Sequence, residues 1–265
     1  MKKTAIISDI HANYEALKTV LLYCENNNID KIVNLGDVVG YGPDPQLCLD
    51  ALNAVTVPVI KIMGNHEHML LAHTNKRLID QEKYIADISR FEDGYVCSDS
   101  NMFFSHTGIV GSENVGLWGY LNSPDKILEC IKTSDYFVSF YGHTHRHRIS
   151  YYCPQSEIFR DELLPEKHSY SLNKNLRYYV NVGSVGQARA NKTEASFAVL
   201  IEEEKTFLLE FHHLNYNSFR TYKKMLEKNF DKSQALYLLR EKWRRALYGG
   251  VINGRLRIHW KGFDR

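Results

Sequence analysis

Four short apolar runs between residues 5 and 141 alternate with amphipathic stretches, and each run stops abruptly on polar residues. Ala5-Ile6-Ile7-Ser8 ends in Asp9-Ile10-His11, and Lys31-Ile32-Val33-Asn34-Leu35 ends in Gly36-Asp37. Val59-Ile60-Lys61-Ile62-Met63 runs into Gly64-Asn65-His66-Glu67, and Tyr136-Phe137-Val138-Ser139-Phe140-Tyr141 into Gly142-His143-Thr144-His145. Short β-rich runs closed by turn residues predict buried strands. Between the first two, Asn13 caps a helix with Tyr14, Leu17, Val20, Leu21 and Cys24 on its apolar face. The turn-rich Tyr41-Gly42-Pro43-Asp44-Pro45 precedes a second crossover helix marked by Leu47, Leu49 and Leu52. Strands alternating with helices predict βαβ units and mostly parallel pairing.

Further along, residues 67 to 93 hold helix formers without turn residues and predict one or two helices. His68 and His73 are read there as helix-surface histidines. Tyr95-Val96-Cys97 and Met102-Phe103-Phe104-Ser105 predict a hairpin that delivers His106, and a helix is expected from Pro124 to Lys132. From Ile149 the pattern turns antiparallel, with strands at Ile149 to Cys153, Tyr178 to Val182, Ala195 to Ile201 and Thr206 to Phe211. Pro154 to Asn175 reads as a polar, irregular loop, either over the cleft or mobile. His147 is expected near the rim.

Composition changes this picture little. A chain of 265 residues, 44% hydrophobic and 24% charged, fits one globular domain with or without an extension. Asp9 and His11 interrupt the first apolar run too early for a signal peptide, and no run approaches a bilayer span of about 18 residues. Five cysteines, an odd number without CxxC spacing, point to a reduced, cytoplasmic chain. Charge is more informative, because residues 216–265 carry thirteen Lys and Arg against four Asp and Glu. We therefore divide the chain into a domain over 1–215 and a basic helical extension over 216–265. One expected helix face is Phe219, Tyr222, Leu226 and Phe230; another is Leu236, Leu239, Trp243 and Leu247, behind an Asp231 cap with Gln234 three residues on. These helices are expected to dock on the core or on a second copy in a homo-oligomer. The competing reading is a nucleic-acid-binding tail on a non-catalytic metal protein.

In open α/β sheets ligands bind beyond the carboxyl ends of strands, so the polar endings should converge. Their order, DxH, GD, GNHE, a lone His and GHTH, resembles the calcineurin-like metallophosphoesterase superfamily from Asp9 to about Gln187. The resemblance implies an α/β (in detail α+β) sandwich of two mixed β-sheets flanked by helices. It makes Asp9, His11, Asp37 and His145 ligands of one divalent metal, and Asp37, Asn65, His106 and His143 ligands of a second, with Asp37 bridging. His66, beside the ligand Asn65, would face the substrate and protonate the leaving oxygen. Asn181-Val182-Gly183-Ser184-Val185-Gly186-Gln187-Ala188-Arg189 is similar to the NPGSVGQPR segment of bacterial members, with Val182 and Ala188 in place of prolines. Its Ser184, Gln187 and Arg189 are candidate donors to phosphate oxygens; a plain glycine-rich turn is the alternative.

Carboxylate, amide and imidazole ligands suit Mn, Fe or Zn, and the histidines disfavour Mg or Ca. Two such metals can activate water and relieve charge on a phosphoryl group. The expected enzyme is therefore a phosphoesterase acting on a small phosphoester or nucleotide. Where Ser/Thr phosphatases of the superfamily read GDxVDRG, this chain reads Gly36-Asp37-Val38-Val39-Gly40-Tyr41-Gly42, without the phosphate-gripping arginine. That departure favours a phosphodiesterase or a hydrolase of the diadenosine tetraphosphate type over a protein phosphatase or other phosphomonoesterase.

Overall fold

A computed structural model describes residues 1–72, 82–110, 113–114, 119–165, 168–189, 194–204 and 206–238. The expectations for His73, Leu239, Trp243 and Leu247 lie outside these residues. In chain order the elements are β1 (Lys2–Ile7), α1 (Tyr14–Asn26), β2 (Lys31–Asn34), α2 (Pro45–Ala54), β3 (Val59–Lys61), α3 (Asn65–Ala72) and α4 (Glu82–Ile88). There follow β4 (Tyr95–Cys97), β5 (Met102–Phe104), β6 (Ile109–Val110), β7 (Glu113–Asn114), α5 (Pro124–Thr133), β8 (Val138–Tyr141) and β9 (His147–Cys153). The remainder is β10 (Ile158–Leu163), β11 (Ser169–Leu172), β12 (Arg177–Val182), β13 (Ala195–Glu203), β14 (Thr206–Leu214), α6 (Ser218–Glu227) and α7 (Lys232–Tyr237).

Two mixed six-stranded sheets, ordered β11-β14-β13-β1-β2-β3 and β10-β9-β12-β8-β5-β4, stack face to face with helices outside. Strand alternation sets the layers, because successive side chains point to opposite faces. Ala5 and Ile7 of β1 join α1 and α2 in the outer core, whereas Ile6 faces the inner core with Val33, Val138, Phe140 and Val180. On the far side, Tyr141 and Tyr179 pack against Ile127 and Ile131 of α5. Strands covered on both faces explain why these runs read as nearly continuous apolar sequence. Parallel pairing joins β1, β2 and β3 in one sheet and β5, β8 and β12 in the other. Their carboxyl ends therefore share one edge of the sandwich.

Two expectations need correction. Pro154 to Asn175 is not one irregular loop, because β10 and β11 lie within it and form the edges of the two sheets. Polar residues mask them, as edge strands often carry charge on their open side; Asp161 of β10 accepts hydrogen bonds from Arg148 Nε and Ser150 Oγ at 2.6 Å each. His147 is not at a rim but 3% exposed, with its ring 4.7 Å from Phe211 and 4.6 Å from His213. Among the described residues no helix is long and apolar enough to cross a membrane.

α6 lies along α1. Asn217 caps it by accepting the Arg220 N–H, and Thr221 Oγ1 donates to Asn13 Oδ1 at 2.9 Å. Lys224 Nζ reaches both Glu15 and Asp44 at 2.7 Å. Phe230, expected on the same helix face as Phe219, Tyr222 and Leu226, instead lies beyond the helix end at Glu227, in the link to α7. It still packs on the Tyr222, Met225, Ala235 and Leu238 cluster that joins α6 to α7.

Candidate metal centre

Every expected ligand sits just past the carboxyl end of a parallel strand: Asp9 and His11 after β1, Asp37 after β2, Asn65 after β3, His106 after β5, and His143 and His145 after β8. Backbone hydrogen bonds continue the ladders beyond the strands, Asp9 N donating to Gly36 O and His11 N to Asp37 O at 3.0 and 2.8 Å. Others stitch the two sheets together, from Gly186 N to Asp9 O and from the His143 N–H to Asp9 Oδ2, both at 3.0 Å. Asp9, His11, Asp37, His143 and His145 all have φ between 49° and 64°. Left-handed backbone is uncommon for non-glycine residues and persists where surrounding contacts enforce it. Close approach demands glycine at Gly64 and Gly142, where a Cβ would collide with the Asp37 and Asp9 carboxylates.

Three groups of side chains bring candidate ligand atoms within 4.8 Å of one another: Asp9 with His11 and His145, Asp37 with His106 and His143, and His11 with Asp37 and His66. Asp37 Oδ2 lies 3.3 Å from His106 Nε2 and 3.7 Å from His11 Nε2. Asn65 Oδ1 adjoins His106 Nε2 at 3.0 Å. The structure thus brings all seven expected ligands into one buried cradle, with His66 at its edge.

The donor set fits cations. His11, His106 and His145 direct Nδ1 at the carbonyls of Val39, Leu35 and Gln187, at 3.2, 2.9 and 2.7 Å. Such bonds fix the tautomer and leave Nε2 as the ligand atom. The Nε2 atoms of His11 and His145 then face each other at 3.0 Å, so a proton or a cation must lie between their lone pairs. Asp9 Oδ1 and His143 Nε2 are buried without a hydrogen-bond partner. Asp9 Oδ1 does approach His145 Nε2 to 3.1 Å, but not in hydrogen-bond geometry. Buried polar atoms are rarely left unpaired, and metal coordination would satisfy both.

Electrostatics divide the candidate ligands: against the effect of burial, the Asp37 charge pushes His106 up to about 9 and the Asp9 charge raises His145. Burial opposes ionisation of Asp37, yet His106 and His11 hold its carboxyl well below the usual range. Asp9 is lowered likewise, with His145 overcoming the effect of burial. Burial pushes His143 down to about 4 and carries His11 well below its ordinary value, so both favour the neutral, ligating form. His66 is also lowered, chiefly by burial, with the Asp37 charge opposing.

Three residues outside the expected site hold it together. Glu67, fully buried, accepts the N–H groups of Asp37, Val39 and Gly64 at 2.8, 3.0 and 2.8 Å, clamping the Asp37 loop to the start of α3. Its place within GNHE was the available signal. Asn13 caps α1 and also donates to Gly186 O at 2.8 Å. Asn181 Nδ2 donates to the carbonyl of Gly142 at 2.5 Å and to Thr144 Oγ1 at 3.1 Å.

The Ser184-to-Arg189 segment divides. Ser184 is 0% exposed; its hydroxyl donates to Asp9 O and accepts the Gln187 N–H, both at 2.8 Å, so it ties loops together and is no donor to an outside phosphate. Gln187 is half-buried beside His11. Arg189 donates to Tyr120 Oη, and the Tyr120 ring meets His143 edge-on at 4.7 Å.

Residues 2–205 match the profile of the calcineurin-like phosphoesterase superfamily domain, and the chain belongs to that family of metal-dependent phosphoesterases. It is 28% identical over 239 residues to the uncharacterized protein MJ0912 of Methanocaldococcus jannaschii, covering 84% of this chain and 91% of that one. In fold it is similar to a metallophosphoesterase from Sphaerobacter thermophilus, with TM-score 0.73, 23% identity, and 89% and 98% of the two chains covered. It is likewise similar to the hypothetical protein PH1004 from Pyrococcus horikoshii, with TM-score 0.67, 16% identity, and 91% and 98% covered.

Proposed function

We propose that this chain hydrolyses small phosphodiesters or nucleotide polyphosphates. Asp9, His11, Asp37 and His145 would hold one divalent metal, and Asp37, Asn65, His106 and His143 a second. The observation that carries this reading is the Asp37 carboxylate, which lies between the His11 and His106 imidazoles and so serves both clusters. When bound, two such metals activate water and neutralise charge on the phosphoryl oxygens. The mixed nitrogen and oxygen donors favour Mn, Fe or Zn.

The protein's own groups complete the chemistry. The His66 N–H donates to Asp37 Oδ1 at 2.9 Å, which anchors the residue at the edge of the cradle. Burial lowers its pKa, so the imidazolium is the minor form at neutral pH, and that form would give its proton to the leaving oxygen. Arg189, beside Tyr120 and His143, supplies positive charge for a phosphoryl oxygen.

The test is turnover of bis(4-nitrophenyl) phosphate, diadenosine tetraphosphate and 4-nitrophenyl phosphate with added Mn, and its loss on chelation. Turnover of either of the first two is expected to exceed that of the monoester. Preference for the monoester would shift the reading to a phosphomonoesterase, and no turnover by metal-loaded protein would overturn it.

A further inference from the structure

Three rings meet at the edge of the cradle. The Tyr41 ring centre lies 4.7 Å from that of His11 and 4.6 Å from that of His66, and the two imidazole centres are 4.9 Å apart. All three pairs are edge-on or tilted, the arrangements that aromatic rings prefer. His11 belongs to a ligand cluster, and His66 is the proposed acid. We infer that Tyr41 is a positioning residue, whose ring fixes the orientation of the His66 imidazole and so governs delivery of its proton to the leaving oxygen.

This inference rests on the phosphoesterase reading above, and within it on His66 as the acid. The His66 N–H bond to Asp37 Oδ1 at 2.9 Å fixes the backbone at the start of α3. It leaves the two side-chain torsions free, and an acid is effective only when its ring nitrogen is aimed. Two neighbours take up that freedom. Gly40 lies so close that a Cβ there would come within 2.2 Å of His66 Nδ1. Tyr41 supplies the ring contact described above. With that ring removed the imidazole is free to turn toward His11 and Asp37, since its ligand atom already lies within 4.8 Å of theirs.

The backbone that presents Tyr41 is a second observation. Gly42 N donates to Gly40 O at 2.6 Å, closing a turn from i to i+2, and Tyr41 at its centre has φ 53°. Such turns are rare and strained for a residue with a side chain, and they persist where the surroundings impose them. Here Gly42 packs on the neighbouring loop, where a Cβ would lie 2.2 Å from His11 O. Asp44 N donates to Ala12 O at 3.0 Å, and Lys228 Nζ to the Pro43 carbonyl at 2.5 Å. Glycine or asparagine would suit the backbone of Tyr41 better, so the turn itself does not call for an aromatic residue. The ring between the two imidazoles is what the strained position provides.

The experiment compares Tyr41→Asn, which suits the left-handed backbone and removes the ring, with Tyr41→Phe, which restores the ring, and with His66→Asn. Each full-length, Mn-loaded protein is assayed on methyl 4-nitrophenyl phosphate and methyl phenyl phosphate, which retain the same alcohol and differ in the basicity of the leaving oxygen. The more basic phenolate depends more on an acid. Tyr41→Asn should lower kcat for the phenyl ester by about tenfold to a hundredfold with little change in KM, and kcat for the nitrophenyl ester by about threefold or less. Tyr41→Phe should recover most of that loss. A second readout is independent of turnover: nuclear magnetic resonance of the Zn-loaded protein with isotopically labelled histidine, the His66 ring signals being assigned by their absence in His66→Asn. These signals should be sharp in the unaltered protein and in Tyr41→Phe, and broadened or shifted in Tyr41→Asn. Unchanged His66 signals in Tyr41→Asn, equal losses on the two esters, or no recovery in Tyr41→Phe would overturn the inference while leaving the phosphoesterase reading intact. Equal losses on the two esters in His66→Asn would remove the acid reading and the inference with it, and hydrolysis of neither ester by the unaltered protein would remove the phosphoesterase reading as well.

Discussion

The metal cradle and the wall that α6 and α7 raise beside it meet at His11 yet are built in opposite ways. Each candidate ligand follows its strand within a few residues, and the strand pairing alone brings Asp9 beside Asp37 and His106 beside Gly142. The wall instead depends on Asn13 meeting Thr221, Asp44 meeting Lys224 and Pro43 meeting Lys228, pairs about two hundred positions apart. The candidate metal centre sits where backbone geometry is over-determined, and α6 is attached to it by side chains.

The sharpest way to break that comparison is at the cradle's shared carboxylate. Asp37→Asn should strip metal from both clusters and abolish turnover, since a bridging group supplies negative charge to each ion. Elemental analysis should fall from two divalent ions per chain to less than about one. Loss of a single ion with the other fully retained would show that Asp37 does not bridge.

His66→Asn probes the cradle's edge with a smaller effect. Metal content should persist while turnover falls by about a hundredfold to ten-thousandfold, the usual contribution of a positioned acid. His143→Ala, which removes a ligand, should lose metal as well. Since His66 lies within 4.8 Å of His11 and Asp37 ligand atoms, equal metal loss in both variants would move it into the coordination shell.

The same contrast explains what the sequence made legible. Strand ends closed by Asp, Asn and His announce themselves locally, so the parallel strands and the seven candidate ligands could be named from the sequence. Glu67 was visible in GNHE, but its role was not, because a carboxylate accepting three backbone N–H groups has no local signature. Ser184 carried a misleading signal, since a hydroxyl beside glycines serves a ligand or a neighbouring loop equally well. β10 and β11 were missed because edge strands hide among polar residues. The wall was illegible for another reason: apolar spacing at Tyr222 and Met225 shows that a helix packs, and says nothing of what it packs on.

Lys224 tests the attachment of the wall. Its ammonium is 20% exposed and sits between Glu15 and Asp44, which are nearly buried. Lys224→Met leaves those carboxylates with only the more exposed Arg220 and Lys228. Stability to urea should drop by about 2–3 kcal/mol, toward the lower end for a broken buried pair because of these remaining cations. Metal content should not change, since backbone pairing and the Glu67 and Asn181 side chains hold the cradle without Lys224. Metal loss equal to that of a ligand variant would show that the two regions are one cooperative unit.

The smallest effect is expected at Asp161 on β10, an edge remote from both regions. Burial works against its ionisation, but hydrogen bonds from Arg148 and Ser150 together with the Arg148 charge hold its carboxyl below the ordinary value. A lowered folded-state pKa contributes stability above the unfolded value and loses it as pH falls through the folded one. Asp161→Asn should therefore destabilise by about 1 kcal/mol at neutral pH, after allowance for solvent screening of this partly exposed pair. The difference from the unaltered protein should shrink as pH is lowered past the ordinary carboxylate range, where Asp161 itself takes up a proton. Urea melts from neutral pH downward give the measurement. A difference that stayed constant with pH would show that the edge is held by the shape of the side chain and not by its charge, and metal content should be the same in both proteins throughout.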